Sequence, residues 1–331
     1  ITANNGKVGW GEAPYAPFFN GETSRGMVAA IDFMKDRLLG REILQQSDIK
    51  DVISSTIYGN SGAKSAIDMA LHDLFGKSED KPLYETLGGS KRDKVPMIWL
   101  VAGGDDEFKL LAEKVDQGFV SFKVKVGTNN VHEDIERSYQ AQRILDHNYT
   151  LSADANQGFN RSDALIFASK TGDIGLDFFE QPVTGKDIDT MVECNARSYA
   201  PIGVDEGIHN IDDIKIHHDR KAANGGSLKM IKFGGVAQLF EAANLMHSYN
   251  MHINLAGKAA NTSIGSAAIA HFTRALPSLD WDASLSSQYL SDDIAENPVK
   301  VIEGHIITPE DGPGLGINID EDKLNQYSIK L

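Results

Sequence analysis

From Val95 onward the chain alternates short apolar runs with stretches whose apolar residues fall at i, i+3, i+4 and i+7. The runs are VPMIWLV (from Val95), FVSFKVKV (from Phe119), YTLSADA (from Tyr149), LDFFEQP (from Leu176), PIGVDE (from Pro201), LKMIKF (from Leu228), MHINLA (from Met251) and LDWDAS (from Leu279). Between them lie helical patterns such as DEFKLLAEKVDQG and AQLFEAANLMHSYN. Eight strand-helix units with a period of roughly 26 residues predict an α/β fold, a (β/α)₈ barrel over residues 94–293 rather than a doubly wound sheet. Residues 1–93 read differently, with the end of a hairpin (KVGWGEA), a loop (APYAPFFNGET) and two helices, roughly 24–45 and 62–87. They predict an α+β cap, to which the strand-and-turn tail 294–331 is expected to return.

Composition narrows the class without naming a substrate. A chain of 331 residues can bury a sizeable core. A formal charge of −15 disfavours nucleic acid and anionic membrane surfaces, which would repel it. There is no apolar stretch of membrane-spanning length and no signal-peptide layout. The single cysteine, Cys194, cannot form an internal disulfide, which fits a reducing cytoplasm. The chain begins at Ile1, so an amino-terminal piece is expected ahead of it.

Three acids each close an apolar run: Asp154, Glu180 and Asp205, spaced 26 and 25 residues apart. That spacing puts them at the ends of three successive barrel strands, where side by side they can hold a divalent cation. Oxygen-only ligands favour Mg²⁺, with Mn²⁺ as a substitute. Lys123 and Lys125 project to one side of the preceding unit, since strand side chains alternate, and two close ammonium groups should lower the pKa of at least one. Lys232 follows one unit later, across the barrel from Lys125. Alternation turns Lys229 away and assigns it a structural role. Such an arrangement suits removal of a proton next to a carboxylate through an enediolate, with one lysine as base and the other returning the proton on the opposite face.

In order and spacing, Lys123-Val124-Lys125, Asp154-Ala155-Asn156, Glu180-Gln181-Pro182, Asp205-Glu206 and Lys232-x-Gly234-Gly235 resemble the enolase superfamily, specifically its muconate lactonizing enzyme subgroup. GKVGWGEA and AKSAIDMALHDLFGK resemble that family's capping hairpin and long helix, so the resemblance covers nearly the whole chain. It implies Asp154, Glu180 and Asp205 as metal ligands, Lys125 and Lys232 as the acid/base pair, Lys123 as an electrostatic partner, and Asn156 and Glu206 as outer supports of the metal. It also implies strands ahead of the hairpin, a homo-oligomer, and an isomerase acting on a small-molecule carboxylate by cycloisomerisation, racemisation or epimerisation. A lyase of the same superfamily, performing a dehydration or a synthase-type elimination, is the alternative; a non-catalytic binding protein is a third reading that the intact ligand set opposes.

For the substrate, Asp280 and Asp282 in LDWDAS resemble the Asp-x-Asp with which dipeptide epimerases hold an ammonium; the competing reading makes them turn formers. Asn261 stands where many members carry a glutamate, and Lys258 adds a positive charge, which suits a substrate with a second anionic or polar end. Trp99, Tyr15, Phe18 and Phe19 are expected to form a lid. His217 and His218 are assigned to a solvated helix face.

Overall fold

The structure, a computed structural model, describes residues 1–42, 45–309 and 312–329. Eight parallel strands run in chain order, each beside its predecessor. They are β1 (Ile98–Val101), β2 (Ser121–Lys125), β3 (Thr150–Asp154), β4 (Phe178–Glu180), β5 (Ile202–Val204), β6 (Gly225–Leu228), β7 (His252–Ala256) and β8 (Ala283–Ser284). A parallel bridge between Met97 and Ala283 brings the last strand back to the first and closes the barrel.

Alternation decides what each strand shows to either side. In β2, Phe122 and Val124 are buried in the core with the residues of the helix layer, while Lys123 and Lys125 turn inward. β3 does the same, with Leu151 and Ala153 outward and Asp154 inward. Side-chain caps start five of the helices that follow barrel strands. Asn130, Asn160, Asp187, Asn210 and Thr262 each accept a hydrogen bond from a backbone N–H of the first turn they precede.

Three of the expected strands differ from the runs that suggested them. VPMIWLV splits, since Val95–Pro96 pairs antiparallel with tail strand His305–Ile306, and only Ile98–Val101 enters the barrel. LKMIKF is not a strand: β6 is the preceding GGSL, and Met230–Phe233 forms one helical turn ended by Gly234 at φ +79°. Glycine is required at Gly225, where a Cβ would come within 2.7 Å of both His252 and Trp281. In LDWDAS only Ala283–Ser284 is strand, so its aspartates precede rather than end it.

The N-terminal region has its own core, formed by Met27, Ala30, Met34, Ile49, Ile53, Ala63, Ile67 and Leu71 of helices Ser24–Leu38, Gln46–Ser54 and Ser61–Glu79. The first of these helices ends at Leu38, short of the expected 45, and residues 43–44 of that stretch lie outside those described. Two buried carboxylates fasten it to the rest. Asp73 accepts Trp10 N and Leu315 N, both at 2.8 Å, joining hairpin, helix and tail. Glu12 enters the amino end of helix Ser263–Ala275, accepting from Thr262 N (2.8 Å) and Gly265 N (2.7 Å), where the helix dipole favours a negative charge.

Candidate active site

At the carboxyl ends of the strands a cavity of about 820 Å³ opens beneath the loop carrying Tyr15, Phe18 and Phe19. Parallel register sets Lys125, Asp154 and Glu180 in one row across β2, β3 and β4. Asp205 follows directly after β5, and the same cavity is lined by Lys123, Glu206, Lys229 and Lys258.

Every one of the three strand-end carboxylates is held by an ammonium. Lys123 bonds Glu180, which also takes the Ser227 hydroxyl. Lys125 bonds Asp154 and, at 2.8 Å, Asn156 Oδ1. Asp205 is shared between Lys229 and Lys232. These pairs set the protonation chemistry. Burial works against the charge on Lys125 and Lys229, but Asp154 and Asp205 respectively outweigh it and raise both pKa values. Lys125 is therefore not a lysine whose pKa is lowered. Burial and the neighbouring Asp205 push Glu206 up to about 7.

Lys229 and Lys232 exchange the places expected of them. Because β6 ends at Leu228, Lys229 follows the last strand residue and reaches the cavity, stacking its ammonium 4.8 Å from the Phe19 ring centre. Lys232, three residues on in the helical turn, has a fully buried side chain and donates to Asp205 O (2.8 Å), Asp205 Oδ1 (3.0 Å) and Ser227 O (2.6 Å). It is a framework cation beneath the site.

Among the described residues no three acids or histidines already converge on one point as a ligand set, because the lysines occupy the inward carboxylate edges. The donor set nevertheless suits a hard divalent cation: three carboxylates from adjacent strand ends, all facing one cavity, with no sulfur or imidazole among them. Glu206 adds a buried Oε2 that has no hydrogen-bond partner among the described residues, while its Oε1 accepts from Asn156.

The substrate side is rearranged more than the metal side. Trp99 points outward, edge-on to Phe119 and 4.1 Å beneath the Lys114 ammonium; Leu100 takes the cavity position instead. Asn261 is buried in the seam with the N-terminal region, donating to Glu12 Oε1 at 3.0 Å rather than facing the cavity. Asp280 and Asp282 lie at the opposite end of the barrel. Asp280 pairs with His252 and accepts Ile253 N at 3.0 Å, and Asp282 bonds Ser121 at the start of β2. His217 is 1% exposed, with Nδ1 on Asp213 O, so only His218 belongs to a solvated face. Ser284, the last residue of β8, and Ser286 just beyond it also line the cavity, with no motif in the sequence to mark them. Gln181 is a further support: buried at φ +39°, its Oε1 accepts Asp205 N (2.8 Å) and Gly207 N (3.1 Å), fixing the turn that presents Asp205.

Comparison with known proteins agrees with this geometry. Residues 107–323 match the family described as "Enolase C-terminal domain-like", and residues 1–88 the "Mandelate racemase / muconate lactonizing enzyme, N-terminal domain". The chain is 28% identical to a chloromuconate cycloisomerase of Cupriavidus pinatubonensis, over 99% of this chain and 90% of that protein. It is 27% identical to an N-succinyl-L-Arg/Lys racemase of Bacillus cereus, over 99% and 89%. The solved muconate lactonizing enzyme from Pseudomonas putida superposes with a TM-score of 0.93 at 28% identity, covering 99% of this chain and 92% of that one. The chain therefore belongs to the enolase superfamily, in its muconate lactonizing enzyme subgroup, and is an isomerase of that group.

Proposed function

We propose that this isomerase removes and returns the proton next to a substrate carboxylate, with Lys125 and Lys229 as the acid/base pair and Mg²⁺ as its metal. The observation that carries the reading is the placement of these two ammonium groups. β2 and β6 stand four strands apart in an eight-stranded barrel, so the side chains enter one cavity from opposite walls, and the carboxylates of β3, β4 and β5 line the wall between them.

Asp154, Glu180 and Asp205 would hold the cation. When bound, it would supply Lewis-acid stabilisation of the developing enediolate and draw off the carboxylates that keep Lys125 and Lys229 protonated. The chain's own groups do the rest. Arg137 donates to Lys125 O at 3.0 Å and holds the end of β2, while the paired Glu107 and Asp134 hold Arg137. Lys232 fixes Asp205 from below, and Lys123, over the Phe178 ring at 5.1 Å, holds Glu180. Phe19 lies over the Lys229 and Lys258 ammonium groups, while Tyr15 and Phe18 stand exposed at the rim of the cavity.

The test is deuterium incorporation from D₂O at the α-carbon of N-succinylated amino acids, offered as separate enantiomers. Wild-type protein should exchange both. Lys125→Ala should lose exchange from one enantiomer and Lys229→Ala from the other. Two variants that silence the same enantiomer would place both lysines on one face and end the reading.

A further inference from the structure

One cation in the cavity bonds no carboxylate among the described residues. Lys123, Lys125, Lys229 and Lys232 each bond a carboxylate. Lys258 forms no ion pair or hydrogen bond through its ammonium among the described residues. Its Nζ lies 5.1 Å from the centre of the Phe19 ring, whose surroundings it shares with Lys229. Burial works against the charge on Lys258 more than the unbonded Asp205 and Glu206 offset it, so a ligand carboxylate in direct contact would stabilise it.

Its placement is built rather than incidental. Gly257 N donates to Ser284 O at 2.9 Å, Lys258 N donates to Asn261 Oδ1 at 2.8 Å, and Asn261 in turn holds Glu12. The loop is thus tied to β8 on one side and to the N-terminal region on the other. Gly257 leaves room for a second donor, because a Cβ there would stand 3.0 Å from Ser286 Oγ. Lys258, Ser284 and Ser286 all line the cavity from the β7 and β8 strand ends and the loops after them.

We propose that Lys258, with the Ser286 hydroxyl that lies against Gly257, receives a second carboxylate of the substrate, so that the enzyme selects dianionic over monoanionic carboxylates. The assignment rests on the α-proton reading for the first carboxylate, whose place is among the strand-end acids.

The experiment compares adipate with hexanoate, which match in length and differ by one charge, by calorimetric titration of the Mg²⁺-loaded protein. Wild-type protein should bind adipate at least about tenfold more tightly. Lys258→Gln should lose most of that preference, and Lys258→Glu should reverse it, with unliganded melting temperatures recorded to show that both variants fold. Equal binding of the two probes by wild-type protein, or a preference that survives in Lys258→Gln, overturns the assignment. Deuterium exchange separates the two claims. Equal exchange of N-acetyl and N-succinyl amino acids by wild-type protein sinks the Lys258 role and spares the α-proton reading. A Lys258-dependent adipate preference without exchange of any substrate does the converse.

Discussion

The two ends of the barrel carry the same residue types to different ends. At the mouth, Asp154, Glu180 and Asp205 meet lysine ammonium groups. At the floor, Asp177 accepts Leu151 N at 2.7 Å, Asp280 accepts Ile253 N at 3.0 Å, and Trp281 stacks on Phe178 with ring centres 4.1 Å apart. Strand polarity explains the difference. Parallel strands leave unpaired N–H groups where they start and unpaired carbonyls where they end. A carboxylate at a strand start finds donors in the backbone, whereas each of these three near a strand end takes an ammonium, even Asp154, whose Oδ1 also accepts Asn156 N at 2.8 Å. Lys232 shows this directly, donating to the carbonyls of Ser227 and Asp205 as well as to the Asp205 carboxylate. Acids at the floor finish the strands; acids at the mouth are available for chemistry.

The largest expected effect separates two lysines three residues apart. Lys229→Ala should lower turnover by about 10²- to 10⁴-fold, the usual worth of a positioned acid/base group, with a smaller loss of stability than Lys232→Met, since no backbone carbonyl loses its donor and Asp205 keeps its bond from Lys232. Lys232→Met should do the reverse in emphasis. It removes a fully buried cation from Asp205, and breaking a buried pair from one side costs about 3–5 kcal/mol, measurable by urea unfolding. Turnover should fall only as far as Asp205 is displaced. If Lys232→Met matched Lys229→Ala in rate while unfolding like wild-type protein, the assignment of roles would be inverted.

That pair also marks where the sequence could and could not be read. The three acids were legible because each closes an apolar run at a near-constant spacing, and Lys123 and Lys125 because strand alternation links them. Lys229 was misread because LKMIKF looks like a strand, whereas β6 is the glycine-rich GGSL before it, a segment whose residues have low strand propensity and are admitted because Trp281 and His252 leave no room for a side chain at Gly225. Moving the strand end to Leu228 moves Lys229 from the wall to the cavity. The same error of a few residues placed Asp280 and Asp282 at the mouth. Trp99 was lost to facing: Leu100 pairs with Lys123 across β1 and β2, so the inward position is Leu100 and Trp99 must turn out.

A smaller effect sharpens the comparison from the floor. Burial raises the Asp282 carboxyl to about 6, against an ordinary 3.8. A raised acid pKa means that its contribution to stability is present below the unfolded value and is lost as pH rises through the folded one. Asp282→Asn should remove that loss. Asparagine tolerates the left-handed backbone at φ +52°, so the variant should gain roughly 1–2 kcal/mol over wild-type protein at about pH 8 and almost nothing near pH 4. Thermal unfolding at both values, with identical parallel slopes for the two proteins, would show that the site does not titrate in this window.

The smallest effect is the most discriminating for the substrate. Asp280 pairs with His252 at the barrel floor, with side chains 51% and 40% exposed, and an ion pair that exposed is worth under about 1 kcal/mol. In Asp280→Asn the amide oxygen can still accept Ile253 N, so even the strand start is kept. Had this residue held a substrate ammonium at the mouth, its neutralisation would raise KM sharply for a cationic substrate and leave stability alone. On the floor it should do neither: KM for any carboxylate that the enzyme turns over should stay within about threefold, roughly 0.7 kcal/mol. A larger shift in KM would mean that the floor communicates with the bound substrate, and the division of labour between strand starts and strand ends would fail at the position where it is easiest to test.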